Sequence, residues 1–154
     1  MTTEAIAAPP STKSQVLRSY DVNDFPKLNG LEEEWRFTPL KRLGELITAT
    51  TLTGTPPAVG YAELPAGVTV TEGAGVEPVL TPFDRISALA YGSAAGVTLI
   101  EVAPETVVAE PVVIRLVGKG GDAAAARTYV KVGAFAQVTL ILEQTGTTTL
   151  ADNL

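Results

Sequence analysis

Apolar positions follow two patterns along this chain. From Val97 to Val102, Val112 to Val117, Thr128 to Val132 and Gln137 to Glu143 they form short runs rich in β-branched residues, broken by Gly, Pro or Ala-rich stretches. Such runs predict strands. Tyr129-Val130-Lys131-Val132 alternates and predicts one face in water, whereas Val112-Val113-Ile114 and Leu140-Ile141-Leu142 are continuous and predict burial on both sides. Val68-Thr69-Val70 is a shorter strand-like piece, and the stretch from Phe83 to Tyr91 reads as a helix. Before it the spacing changes. Leu31 to Phe37 predicts a short helix with acids in its first turn, ended by Pro39, and Leu40, Leu43, Leu46 and Ile47 recur at helical intervals. Thr48 to Val59, rich in Thr, Gly and Pro, reads as a loop.

These elements divide the chain into a disordered tail over 1–15, a mixed helical region with loops over 16–95, and a β region over 96–154. The tail is assigned to small, polar and proline-broken residues. No helix of useful length fits between the late strands, which disfavours a doubly wound α/β sheet. A β-sandwich or the opening of a β-solenoid both remain, because strand starts near Val97, Val112, Thr128, Val138 and Thr148 are unevenly spaced. The sequence stops at Asp152-Asn153-Leu154, right after a strand-like stretch and without a capping element. This predicts a β region cut short and a longer native chain.

Composition narrows the chemistry. With 45% hydrophobic residues over 154 positions the chain can bury a core, so disorder of the whole is excluded. A net charge of −6 and no basic stripe oppose a phosphate-directed nucleic-acid grip. Cys and His are both absent, so the segment lacks the thiolates and imidazoles that hold iron–sulfur clusters and most zinc ions. We expect it to bind no cofactor or metal by itself. The acidic N-terminus, Pro9-Pro10, and the absence of a long apolar window lead us to expect a cytoplasmic protein with no membrane contact.

Candidate chemical motifs are weak. Glu32-Glu33-Glu34 cannot converge on one ion, because consecutive helical positions diverge by about 100°. Gly118-Lys119-Gly120-Gly121 lacks the rest of a phosphate loop and reads as a turn, and Gly73-Ala74-Gly75 is followed by Pro78 where a dinucleotide motif needs a helix. The threonines at 145 and 147–149 have no His or Lys to activate them. No catalytic residue is assigned, and we expect no enzyme. Trp35, with Arg36 and Phe37, is either a partner-docking spot or, as we expect, an anchor stapling its helix to the domain.

Two ordered stretches carry a resemblance. Tyr20-Asp21-Val22-Asn23-Asp24-Phe25-Pro26 precedes Glu32-Glu33-Glu34-Trp35-Arg36-Phe37-Thr38-Pro39-Leu40, and Ile100-Glu101-Val102-Ala103-Pro104 leads through Glu110-Pro111-Val112-Val113-Ile114 to Val130-Lys131-Val132-Gly133-Ala134-Phe135-Ala136. Together they resemble the SufB/SufD family of the SUF iron–sulfur cluster assembly system, its SufD branch in particular, with Glu34, Trp35, Arg36, Phe37 and Thr38 as the N-terminal family motif. The resemblance implies a short helical N-terminal region followed by the opening coils of a right-handed parallel β-helix. It also implies a non-catalytic scaffold that pairs with a SufB-like subunit and binds a SufC-like ABC ATPase, with the cluster handled transiently by the complex. A carbohydrate-active or carbohydrate-binding β-helix protein and a generic β-sandwich interaction domain are the alternatives from other classes.

Overall fold

A computed structural model describes residues 16–73 and 75–153. The expected tail, 1–15, lies outside the described residues. Among the described residues three 3₁₀ segments come first, Val22–Asp24, Glu33–Trp35 and Leu40–Ile47, the last kinked at Gly44. Strands β1 (Ala58–Tyr61) and β2 (Val68–Glu72) come next, then helix α1 (Arg85–Ser93). Five strands complete it: β3 (Thr98–Val102), β4 (Val112–Val117), β5 (Ala124–Val132), β6 (Leu140–Thr145) and β7 (Leu150–Asn153).

The strands form two sheets, ordered β1-β4-β6 and β2-β3-β5-β7. Both are mixed. β1 runs antiparallel to β4 with Val59 opposite Leu116, and β2 runs antiparallel to β3 with Val70 opposite Ile100. The remaining pairs are parallel, with Thr98 opposite Thr128, Val112 opposite Leu140 and Ala124 opposite Leu150. Val68, Ile100, Val102, Val112 and Ile114 pack together from the two sheets, with Leu140 and Leu142 of β6 against them. Side chains one residue apart on a strand face opposite ways. Ala125 of β5 and Ala151 of β7 accordingly join a second cluster, with Ala88, Leu89 and Ala90 of α1 and with Val22, Phe25, Leu46 and Leu52 from the N-terminal segments. The four-stranded sheet is thus covered on one face by the other sheet and on the opposite face by α1.

Helix α1 starts because Asp84 caps it, accepting from the Ser87 amide at 2.9 Å. Its first residue locks the N-terminal segments in place. Arg85, only 3% exposed, donates to five backbone carbonyls: Val22 at 2.9 Å, Phe25 at 3.2 Å, Ile47 at 3.2 Å, Thr48 at 3.4 Å and Ala49 at 2.8 Å. Glu45 adds a tie to the sheet, its Oε1 accepting from the Ala123 amide at 2.6 Å.

Two expectations are corrected. The strands do not form the opening coils of a parallel β-helix: two small mixed sheets form, each begun by an antiparallel strand, in an α+β arrangement. The reason lies in β1 and β2, which occupy pairing edges of β4 and β3 in antiparallel sense, a choice no local propensity encodes. The carbohydrate alternative rested on the solenoid and loses that footing. The helix is also not N-terminal. The one α-helix among the described residues lies between β2 and β3, while the predicted helix over Leu31–Phe37 is a single 3₁₀ turn at Glu33–Trp35. There the Glu32 carboxylate is engaged by the amides of Asn29 and Gly30, and Pro39 keeps the turn from growing into a longer helix.

Candidate functional site

The N-terminal motif lies on the surface near a braced turn. The Asn29 side chain accepts from the Leu31 amide at 2.8 Å, and Glu32 accepts from the Gly30 amide at 2.9 Å. Slight burial pushes the Glu32 carboxyl up, but hydrogen bonds from its own amide and those of Asn29, Gly30 and Leu31 outweigh this and hold it below the usual range. Trp35 is half-buried and Thr38 likewise, with the Thr38 amide donating to the Trp35 carbonyl at 3.0 Å. Phe37 is 89% exposed, and the Arg36 guanidinium sits over its ring at 5.4 Å while pairing with Glu33 at 3.8 Å. Trp35, Arg36, Phe37 and Thr38 thus stay together on one surface turn.

A second feature has no counterpart in the sequence motifs. At the β6 and β7 edges the two sheets are bridged by a polar group: Thr128 Oγ1 and Gln144 Nε2 both donate to the Asp152 carboxylate at 3.2 Å. Burial raises the Asp152 carboxyl above its usual range, opposed by those two donors. Elsewhere the sheets are incompletely covered: Val132, at the far end of β5, is 48% exposed, and Ile141, in the run expected to be buried on both sides, is 41% exposed because it faces away from Leu140 and Leu142, which pack between the sheets. Sequence spacing gave no signal for this group, since Thr128, Gln144 and Asp152 meet only once β5 and β7 are in parallel register.

A concavity of about 760 Å³ lies between the β1–β2 connection and the segment 107–113, with Glu63, Glu110 and Arg115 on its walls. Arg115 is held by Glu143 at 2.6 Å across the β4–β6 pair. The cleft walls are otherwise Ala, Pro, Val and Leu, without a nucleophile beside a base. Among the described residues no three acidic side chains converge on a point that could hold a metal ion. Gly118-Lys119-Gly120-Gly121 forms the turn from β4 to β5, where Gly120 and Gly121 have φ of 80° and 85°. Among the described residues no helix is long and apolar enough to cross a membrane.

Neither a protein-family profile nor a solved structure matches this chain. Curated relatives do. The chain is 32% identical over 157 residues to iron-sulfur cluster assembly SufBD family proteins of Mycobacterium tuberculosis and Mycobacterium bovis, covering 99% of this chain and 39% of each relative. A SufBD family protein of Mycobacterium leprae is 27% identical over 155 residues, covering 92% of this chain and 37% of that protein. The chain thus spans about two fifths of the length of the curated relatives it matches. Across essentially its whole length, then, the chain is similar to proteins named as iron-sulfur cluster assembly members of the SufBD family.

Proposed function

We propose that the protein carrying this chain is a non-catalytic, SufD-type scaffold subunit for iron–sulfur cluster assembly, pairing with a SufB-like subunit and served by a SufC-like ABC ATPase in the cytoplasm. The observation that carries this reading is the 32% identity to SufBD family relatives over 99% of the chain. The motif Glu34-Trp35-Arg36-Phe37-Thr38 and the later Val130-Lys131-Val132-Gly133 stretch, in that order, favour the SufD branch. The cluster is cargo here. A segment without Cys or His leaves iron and sulfide to side chains outside it. Its part is structural: the edge strands β6 and β7 present backbone groups of the kind that sheet-to-sheet association uses.

The test is co-purification. The full gene product containing this chain, tagged and co-expressed with SufB-like and SufC-like proteins of the same genome, is expected to elute with both at modest salt. Elution of the tagged protein alone, with both others soluble and folded, would refute the reading.

A further inference from the structure

The cleft between the β1–β2 connection and segment 107–113 opens where a strand ladder stops. The β1–β4 pairing ends with Tyr61 opposite Ile114, and the same register carried further would set Leu64 opposite Pro111. The Val112 amide donates to the Thr139 carbonyl on the β6 side at 2.9 Å, so by alternation residue 111 would direct its amide toward β1. Proline has no amide hydrogen to give, and the two segments part there. The resulting concavity, about 760 Å³, falls within the size range of ligand sites. Leu64 and Val108 fasten its walls to the core between the sheets, while Val107 is 70% exposed.

The charges on the walls do not cancel. Arg115 is engaged by Glu143 at 2.6 Å, which neutralises that pair. Glu63 and Glu110 are exposed on opposite walls, and neither has an ion pair among the described residues. An apolar cleft flanked by two uncompensated carboxylates attracts a cation carried on an apolar body and repels an anion. We propose that this cleft docks a short extended segment of a partner polypeptide, with a Lys or Arg side chain reaching toward Glu63 and Glu110 and aliphatic side chains set against Val107, Val108 and Val113. A free polyamine or a metal ion would answer the charge but leave those valines in water. A Lys or Arg within a chain brings an aliphatic stem and aliphatic neighbours to cover them. This inference is independent of the assembly reading, which rests on the relatives and not on the cleft.

The test is calorimetric titration of the full gene product containing this chain with blocked pentapeptides, and its first arm needs no variant. Ala-Val-Lys-Val-Ala, its counterparts with Gln or Glu at the central position, and spermidine are titrated in turn. The expected result is saturable binding of the Lys peptide that weakens as salt rises, with the Gln peptide about fivefold and the Glu peptide about tenfold weaker. Glu63→Gln combined with Glu110→Gln should lower affinity for the Lys peptide about fivefold, and Ala109→Trp, which fills the cleft from one wall, should abolish binding. Glu72→Gln combined with Glu77→Gln, at two exposed acids that do not line the cleft, should leave affinity unchanged. The proposal is overturned if the Lys peptide shows no saturable binding up to about 5 mM, or if the Gln or Glu peptide binds equally well. It is overturned equally if spermidine binds as tightly, or if the Glu63 and Glu110 double variant, with its urea midpoint unchanged, keeps full affinity.

Discussion

Replacing Arg85 with methionine keeps most of the side-chain volume while removing all five hydrogen bonds that this side chain makes to the N-terminal segments. Five carbonyls lose a partner, although the Val22 carbonyl keeps another, the Phe25 amide at 3.3 Å. Each buried acceptor left unpaired costs about 1–3 kcal/mol. The bonds to Ile47, Thr48 and Ala49 are only partly buried, so water recovers some of that loss. Relief from burying a cation offsets more. The net is about 3 kcal/mol, within the range for breaking a buried charged network. Arg85→Lys, with one ammonium in place of a fork, should fall about halfway. Urea melts monitored by circular dichroism, read as a shift in midpoint at constant slope, give the magnitude. Hydrogen exchange gives the location, with amides near Val22–Phe25 and Thr48–Leu52 losing protection before those of β3 and β5. A methionine variant within about 0.5 kcal/mol of the parent would show that the five bonds add nothing beyond packing.

Other substitutions test other joints. Asp152→Asn should stabilise the chain at neutral pH. The folded carboxyl is raised above its unfolded value, so the stability of the protonated form is complete below the unfolded pKa and is lost as pH rises through the folded one. The gain from asparagine should therefore shrink as melts move to acid pH, and a gain that grows toward acid would contradict the burial argument. Gly133→Ala should destabilise by more than about 2 kcal/mol, because its new methyl would meet Pro104 N at 2.4 Å and Pro104 Cα at 2.7 Å. Gly92→Ala, in α1 with nothing within 4 Å, should stabilise by about 0.5–1 kcal/mol, and equal effects at the two sites in thermal melts would discredit the packing around Gly133. Glu45→Ala should cost about 1–2 kcal/mol by orphaning the Ala123 amide, whereas Glu45→Gln, which keeps an acceptor oxygen, should lose less in the same melts.

What can be read from the sequence is local. β3 and β4 sit where β-branched runs place them, and α1 covers most of Phe83 to Tyr91, shifted toward Ser93 by the Asp84 cap. The residues of β1 read as loop because Pro56-Pro57 and Gly60 weaken any intrinsic strand tendency; pairing with β4, more than fifty residues on, makes them a strand. The β-helix expectation fails at the same level, since the sense in which β1 and β2 pair is set by tertiary contacts. The motif residues Glu34 to Thr38 are legible as a cluster, but the exposure of Phe37 is not, because a predicted amphipathic helix would give it a buried face. Arg85 and Asp152 are invisible as features. Their partners lie as far away as 63 residues, from Arg85 to Val22, and a charged residue in a sequence does not announce whether carbonyls, side-chain donors or nothing will meet it.

A role in iron–sulfur cluster assembly is tested most directly by the activity of a cluster-dependent enzyme in cells depleted of the full gene product. Expected is a fall in that activity with the enzyme's polypeptide level unchanged, restored by the wild-type gene and by anaerobic reconstitution of the extract with iron and sulfide. Full activity under depletion, with the protein verified absent and no second copy of the gene in the genome, would contradict that role.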